Sequence, residues 1–200
     1  MESLNVSRET FPDLEAFRKI ILERNKEINL IGKDTANISR ERHIIDSAQI
    51  IDLIDINMPI CTDLGSGPGL PGIVLAIIMK HKKSDMKFIL YEKSFHKSKF
   101  LKEVTSKFDL NVQVLQKDIF EEKNLLSDII VARAFKPLPI ILKLIHNNFK
   151  SFQEVILFLG KNGKEILEKV MKDWQIQYEE KKSITSVNST IIKIKSLKKK

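Results

Sequence analysis

Three carboxylates, Asp63, Glu92 and Asp118, close or soon follow apolar stretches that are typical of buried strands. The carboxyl ends of parallel strands meet at one edge of a sheet, so we expect the three side chains to line one site. Glu92 could hold both ribose hydroxyls of an adenosine, and Asp118 could accept a hydrogen bond from the adenine amino group, with Ile119 packed against the ring. Merely solvated carboxylates are the alternative, but their recurrence at three successive strands favours a ligand. The apolar stretches are residues 59–62, 86–91 and 111–115.

The first strand runs into the glycine-rich stretch Asp63-Leu-Gly-Ser-Gly-Pro-Gly-Leu-Pro-Gly72, which an apolar helix follows. Gly67-x-Gly69-x-x-Gly72 matches the dinucleotide fingerprint, in which backbone N–H groups hold a pyrophosphate. Pro68 and Pro71 remove two of those donors, and Asp63 would repel a phosphate but suit a cation. S-adenosylmethionine carries a sulfonium and an amino group and no phosphate. The stretch therefore favours a methyl-donor site over a dinucleotide site or a turn without a ligand.

Strand and helix patterns alternate through the rest of the chain, as in an α/β protein. We expect one methyltransferase domain, a class I Rossmann-like fold with a mostly parallel seven-stranded sheet, flanking helices and an N-terminal helical extension. The extension covers residues 1–57, with helices capped by Thr10 and Ser39. The Rossmann-like core covers residues 58–196 and ends in an antiparallel strand pair, residues 174–178 and 186–194. Residues 197–200 are expected to be a frayed basic tail.

The net charge of +8 favours a polyanionic partner. Residues 80–107 hold nine lysines against three acidic residues, which predicts a basic patch beside the glycine stretch. The only cysteine, Cys61, lies in a predicted strand, where a packed thiol is the favoured interpretation. A single cysteine fits a reducing cytoplasm, and no signal peptide or membrane span is indicated.

The segment Arg42-His-Ile-Ile-Asp-Ser47 places His43 three and four residues before Asp46 and Ser47 on a predicted helix. One interpretation is a packing network that holds this helix against the glycine stretch, and it is favoured for Asp46 and Ser47. The other is that Arg42 and His43 reach a nucleic-acid phosphate or base. For His43 the two interpretations remain equally open.

Together these motifs resemble the bacterial small-subunit ribosomal RNA methyltransferase G family, also called glucose-inhibited division protein B. The resemblance implies methyl transfer from S-adenosylmethionine to N7 of one guanine in 16S ribosomal RNA. It also implies cofactor contacts by Gly65 and Leu70 in the glycine stretch, Asp118 and Ile119 after the third strand, and Arg133 after the fourth. The stretches that carry it are Asn25-Lys-Glu-Ile-Asn-Leu30, Arg42-His-Ile-Ile-Asp-Ser47, Asp63-Leu-Gly-Ser-Gly-Pro-Gly-Leu-Pro-Gly72, Lys97-Ser-Lys-Phe-Leu101 and Arg133-Ala-Phe135.

The expected partner is 16S ribosomal RNA or a small-subunit particle. We expect the protein to be a monomer and to involve no membrane. Phe135 could stack the target base or simply pack. The chain departs from the family at Gly160-Lys161, where the order Lys-Gly is usual. The cofactor-binding candidates are Asp63, Gly65, Gly67, Leu70, Glu92, Asp118, Ile119 and Arg133. The RNA-binding candidates are Arg42, His43, Lys97, Lys99, Phe135 and Lys161.

Guanine N7 has an in-plane lone pair and no hydrogen, so its methylation needs no general base. We therefore assign no catalytic acid or base and no metal ligand, and expect catalysis by positioning. Two other classes share parts of the pattern. An NAD-dependent oxidoreductase or nucleotide-sensing module shares the fingerprint, and a non-catalytic RNA-binding protein would suit the basic patch.

Overall fold

A computed structural model describes Leu4 and residues 6–200. The helices in this part of the chain are α1 (Thr10–Arg24), α2 (Asp46–Ala48), α3 (Gly72–His81), α4 (Phe95–Lys107), α5 (Leu138–Asn148) and α6 (Gly163–Val170). The strands are β1 (Ile60–Leu64), β2 (Lys87–Tyr91), β3 (Val112–Leu115), β4 (Leu125–Leu126), β5 (Ile129–Ala132), β6 (Phe149–Ser151), β7 (Glu154–Leu159), β8 (Trp174–Lys182) and β9 (Thr190–Lys199).

Seven strands form one sheet in the order β3-β2-β1-β5-β7-β9-β8. The first five of these are parallel, and β9 runs antiparallel to both β7 and β8. The order reverses between β1 and β5, which places the switch point at their carboxyl ends. The predicted Rossmann-like fold and its closing antiparallel pair are confirmed. A separate two-stranded sheet of β4 and β6 was not foreseen, because each strand is too short to leave a pattern.

Two apolar clusters cover the two faces of the sheet. Alternating residues of β1 serve different clusters, with Cys61 in one and Leu64 in the other, as strand periodicity requires. Helices α1, α3 and α4 build the first cluster, and α5, α6 and the buried Trp174 build the second. The Cys61 thiol is fully buried, which confirms packing, and burial raises its pKa. None of the helices described is both long and apolar enough to cross a membrane.

The predicted caps of the N-terminal region are wrong. Thr10 lies inside α1 after the cap position Glu9, and its hydroxyl forms a hydrogen bond with that of Ser7. The Ser39 hydroxyl accepts a hydrogen bond from the Arg18 guanidinium at 3.0 Å and caps nothing. The second helix is not one regular α-helix, since a π-helical turn, Arg40–Ile45, leads into α2.

The expected frayed tail is also wrong, because β9 continues to Lys199 and pairs that residue with Trp174. Lysine side chains that face water leave the backbone free for the ladder, so a lysine-rich ending can still be a strand. The backbone N–H of Lys200 donates to the carbonyl of Asp173 at 3.0 Å. The strand also starts later than expected, at Thr190.

Deleting residues 197–200 should lower the free energy of unfolding by roughly 1–3 kcal/mol, because it removes pairing that covers Trp174 and Ile176. Urea unfolding of the full chain and the deletion variant measures the difference. Replacing Lys198, Lys199 and Lys200 together by alanine keeps the backbone ladder and is the matched control, expected within about 0.5 kcal/mol of wild type. If the deletion variant were as stable as the full chain, residues 197–200 would contribute nothing to stability, as expected for a frayed tail.

Candidate functional site

A cavity of about 460 Å³ opens at the carboxyl ends of the parallel strands, next to the switch point. This volume lies in the usual range for small-molecule sites, roughly 300–1,000 Å³. The glycine loop, the ends of β2 and β5 and the segments that follow β3 and α1 supply its wall. The wall residues are Leu30, Ile31, Gly32, His43, Gly65, Ser66, Gly67, Pro68, Leu70, Tyr91, Glu92, Lys93, Lys97, Lys117, Asp118, Ile119, Phe120, Arg133, Ala134, Phe135 and Lys136.

The glycine loop uses its own backbone donors internally. The N–H of Ser66 donates to the carbonyl of Tyr91, and the N–H groups of Gly69 and Leu70 both donate to the carbonyl of Ser66. The N–H of Gly67 donates to the Glu92 carboxylate at 2.9 Å. The two prolines of the loop have no N–H to offer. Four loop N–H groups, those of Ser66, Gly67, Gly69 and Leu70, are therefore not free for a dinucleotide pyrophosphate.

Glu92 is the side chain that anchors the loop. Its Oε2 accepts from the Gly67 N–H at 2.9 Å, and its Oε1 accepts from the Ser94 N–H at 2.8 Å. Ser94 is the residue that caps α4, and the Ser98 hydroxyl donates to the Glu92 carbonyl at 2.7 Å. Each carboxylate oxygen keeps further acceptor capacity towards the cavity. Glu92 thus fixes the loop against α4 and can still accept from ligand hydroxyls.

Asp63 lies elsewhere than the sequence suggested, because it is fully buried and outside the cavity wall. Its Oδ2 accepts from the Gly72 N–H at 3.0 Å, at the first residue of α3. A Cβ on Gly72 would lie 2.6 Å from that oxygen, so the close approach requires glycine. Burial, as the largest cause, raises the pKa of Asp63 to about 7. The expected contact with a ligand cation is corrected to a contact with the helix N-terminus.

Asp118 and Ile119 lie on the wall as expected, and Phe120 follows them. The Asp118 carboxylate accepts from the Phe120 N–H at 3.2 Å and lies 3.3 Å from the Lys93 ammonium. Ile119 is buried, which gives this wall an apolar surface beside its carboxylate. A flat ligand with one amino edge suits such a pairing of groups.

Phe135 is half-buried against the glycine loop. Gly65 has φ +67°, and a Cβ there would lie 2.1 Å from the Phe135 ring, so this position requires glycine for two reasons. On another side, the Phe135 ring stacks on that of Phe120, with centroids 6.0 Å apart and planes at 27°. Packing is therefore established for Phe135, and its ring still reaches the cavity wall.

Arg133 reaches the wall from the end of β5, but protein groups hold its guanidinium. Its Nε donates to Asp46 Oδ2 at 2.7 Å, and one terminal nitrogen donates to the Arg42 carbonyl. Asp46 also accepts from Gln49 at 2.8 Å and from the Thr185 hydroxyl, which belongs to the loop between β8 and β9. Asp46 thus belongs to a packing network, but its partners lie at the end of β5 and in the β8–β9 loop rather than in the glycine stretch. Among the residues that the structure describes, the buried Ser47 hydroxyl has no hydrogen-bond partner.

His43 connects Arg133 to the segment that follows α1. Its Nε2 lies 2.9 Å from the Thr35 hydroxyl, which itself donates to the Gly32 carbonyl at 2.8 Å. Because the Thr35 hydrogen is used there, Nε2 must carry a proton and Nδ1 must accept from Arg133, at 3.3 Å. Burial first, and then the charge of Arg133, lower the pKa of His43 to about 4. His43 is therefore neutral at physiological pH.

Lysines surround the cavity, and only some of them were anticipated. Lys97 lies on the wall, while Lys99 points to solvent further along α4. Arg42 and Lys161 are exposed and outside the wall. The wall lysines that sequence reasoning missed are Lys93, Lys117 and Lys136.

Two further groups of wall residues were missed. Lys93 directly follows Glu92, and Phe120 directly follows Ile119. A prediction that included the neighbours of each strand-end candidate would therefore have found both. The segment from Leu30 to Gly32 reaches the site because Asn25 Oδ1 accepts from the N–H groups of Leu30 and Ile31, at 2.8 and 2.9 Å. Asn25 is the residue that follows the end of α1 at Arg24.

Comparison with known proteins gives consistent relatives along the whole chain. The family model described as rRNA small subunit methyltransferase G matches residues 10–195. A ribosomal RNA small subunit methyltransferase G from Pelagibacter ubique is 49% identical over 202 residues, covering 100% of this chain and 95% of that protein. The protein of the same name from Bartonella henselae is 35% identical, covering 97% of this chain and 90% of its own length.

Solved structures agree with the fold at low sequence identity. A SAM-dependent methyltransferase from Aquifex aeolicus gives a TM-score of 0.58 at 15% identity, covering 78% of this chain and 92% of that one. TrmK from M. capricolum, solved with S-adenosylhomocysteine, gives 0.56 at 17% identity, covering 74% and 66%. At these identities the likeness concerns the fold.

The buried Asp63 makes a prediction for stability. Its pKa is higher in the folded protein than in the unfolded chain. Between about pH 4 and about pH 7 the folded state therefore binds more protons at this carboxyl than the unfolded state does. The contribution of Asp63 to the free energy of unfolding therefore falls as pH rises through this window. Asp63→Asn keeps an acceptor for the Gly72 N–H but does not titrate, so its free energy of unfolding does not fall with pH for this reason. Its stability relative to wild type should rise by at most about 1.4 kcal/mol per pH unit and level off above pH 7, approximately.

Urea unfolding between pH 5 and 8.5, approximately, measures this difference. Glu168→Gln, which neutralises an exposed carboxylate on α6, is the matched control and should show no such trend. A stability difference between Asp63→Asn and wild type that does not change with pH would mean that Asp63 is ionised throughout.

Proposed function

The chain belongs to the ribosomal RNA small subunit methyltransferase G family, and we propose that its cavity serves methyl transfer from S-adenosylmethionine to N7 of a guanine in 16S ribosomal RNA. The observation that carries this proposal is the chemistry of the wall. Carboxylates face the cavity at the ends of two successive strands, and the N–H groups of four glycine-loop residues are already hydrogen-bonded within the protein. An adenosine ligand without phosphate fits these groups better than a dinucleotide.

The residues present fit S-adenosylmethionine in kind and position. Glu92 would accept from ribose hydroxyls, Asp118 would accept from the adenine amino group, and Ile119 would pack on the adenine ring. Gly65, Gly67 and Leu70 would contact the remainder of the cofactor from the loop, with Arg133 completing the wall. The cofactor supplies an electrophilic methyl group on a sulfonium.

No residue of the wall is assigned as a general base. His43 is neutral and both of its ring nitrogens are engaged by Thr35 and Arg133. Guanine N7 has no proton to remove, so the acceptor that we propose requires none. What the protein contributes is the placement of the acceptor in line with the methyl group, with Phe135 as the candidate ring beside the target base.

The lysines on the cavity wall support an RNA substrate, because they place positive charge where the acceptor must enter. Of the lysine and arginine candidates for RNA binding, Lys97 lies on the wall, and Lys99, Lys161 and Arg42 would contact RNA outside the cavity. We propose that the protein acts on RNA as a monomer.

Methylation of RNA that lacks N7 tests the acceptor. Transcripts of 16S ribosomal RNA made with 7-deazaguanosine triphosphate carry a C–H in place of N7. We expect radiolabelled methyl transfer to ordinary 16S RNA or small subunits, recovery of the label as 7-methylguanosine, and no transfer to the deaza transcript. Label on an exocyclic amino group, or transfer to the deaza transcript, would contradict the proposal. Calorimetric titration should show binding of S-adenosylmethionine and none of NAD.

Asp118→Asn tests the assignment of an adenine contact. Losing part of a hydrogen bond that is equally strong in ground and transition states should raise the apparent KM for S-adenosylmethionine by roughly three- to tenfold, with kcat within about twofold. Glu121→Gln is the matched control, since Glu121 is exposed and outside the wall. Loss of a general base would instead lower kcat by about 10²–10⁴-fold at unchanged cofactor affinity.

A further inference from the structure

Phe95 is an aromatic side chain that belongs to neither apolar cluster and does not line the cavity; its ring contacts the neighbouring His96 ring edge-on, with centroids 5.5 Å apart. It is the first residue of α4, and 59% of its surface is exposed. One exposed ring is common on protein surfaces and means little alone. What distinguishes Phe95 is its position between Lys93 and Lys97, which both line the cavity.

Lysines extend from Phe95 along the solvent-facing side of α4. Lys99 and Lys102 follow it by four and seven residues, which places all three on one helical face. Helix geometry spaces them about 6 and 10.5 Å from Phe95 along the axis. This is the length of about three stacked nucleotides. One aromatic ring therefore stands at the cavity end of a row of positive charge.

These lysines are not neutralised within the part of the protein that the structure describes. No carboxylate there lies within 4.0 Å of the ammonium group of Lys97, Lys99 or Lys102. Glu103, the acidic residue of the same helix, pairs instead with Arg24. Lysines on other elements do have partners, such as Lys169 with Glu165 on α6. The charge on α4 is thus available to an external anion.

We infer that Phe95, Lys99 and Lys102 form a binding track for an unpaired segment of the RNA substrate. A base that neighbours the target guanine stacks on the Phe95 ring, and the phosphates next to it contact the two lysines. Lys97 and Lys93 then lie where the strand turns into the cavity. This inference rests on the proposed function and deepens it, since it says how the RNA is held outside the cavity.

Substitution of Phe95 separates stacking from charge. Phe95→Ala should raise the Kd for 16S ribosomal RNA roughly five- to 100-fold, because base stacking on an aromatic ring is lost. Its affinity for S-adenosylmethionine should stay within about twofold of wild type. The salt dependence of RNA binding should keep its slope, since no phosphate contact is removed. Lys99→Gln with Lys102→Gln should instead flatten that slope by about 1.4 log units per log unit of salt, or about 0.7 for each contact.

A second measurement detects the stacking directly and does not depend on affinity. Phe95→Trp should retain RNA binding, and its added tryptophan emission should be quenched when 16S ribosomal RNA is titrated. Met171→Trp is the matched control, because Met171 is exposed at the other end of the sheet, before β8, and its tryptophan should not respond. The native Trp174 is buried and gives a constant background.

The outcomes distinguish this inference from the proposed function. Wild-type methylation with unchanged RNA affinity in Phe95→Ala, and no quenching in Phe95→Trp, would overturn the track and leave the function standing. A parallel loss of cofactor affinity in Phe95→Ala would also overturn it, since Phe95 would then support the cofactor site. A wild-type protein that neither binds nor methylates RNA would overturn the function itself.

Discussion

The rest of the site depends on one carboxylate that holds two backbone donors. Glu92 directly follows β2, accepts from Gly67 in the glycine loop and from Ser94 at the start of α4, and is itself almost fully buried. Charge-assisted hydrogen bonds of this kind are stronger than neutral ones. Through Glu92 the loop that faces the proposed cofactor and the helix that carries the proposed RNA track share one anchor.

The same anchoring explains why a glycine fingerprint need not bind phosphate. In a dinucleotide site the loop N–H groups point at the pyrophosphate, and an acidic residue further along the chain holds the ribose. Here carboxylates and carbonyls of the protein satisfy those N–H groups, and the buried Asp63 satisfies the first N–H of α3. Few loop N–H groups are left to bind a phosphate, so ligand recognition relies on the acceptors Glu92 and Asp118.

The fold was predictable from the sequence because its signals are local. A buried strand, a glycine turn and a helix occur within a few residues of one another, and the alternation continues to β7. The positions of Glu92, Asp118 and Ile119 followed from the general rule for strand ends. The role of Asp63 did not follow, because its distance from the cavity depends on how α3 packs against β1. The extent of β9 did not follow either, since pairing with β8 decides it and lysines give no strand signal.

The hydrogen-bond network around Arg133 could not be predicted, because it joins segments that are distant in the sequence. Its partner Asp46 lies 87 residues away, and Thr185 lies 139 residues from Asp46. No spacing in the sequence connects a π-helical turn, the end of β5 and the loop of the C-terminal hairpin. In the folded protein they form one polar network, which ends at Gly32 on the cavity wall through a neutral His43. A charged imidazole would place a proton between Nδ1 and the Arg133 guanidinium, so the network is complete only while His43 is neutral. Its contribution to a reaction without proton transfer is therefore to keep the wall in one arrangement.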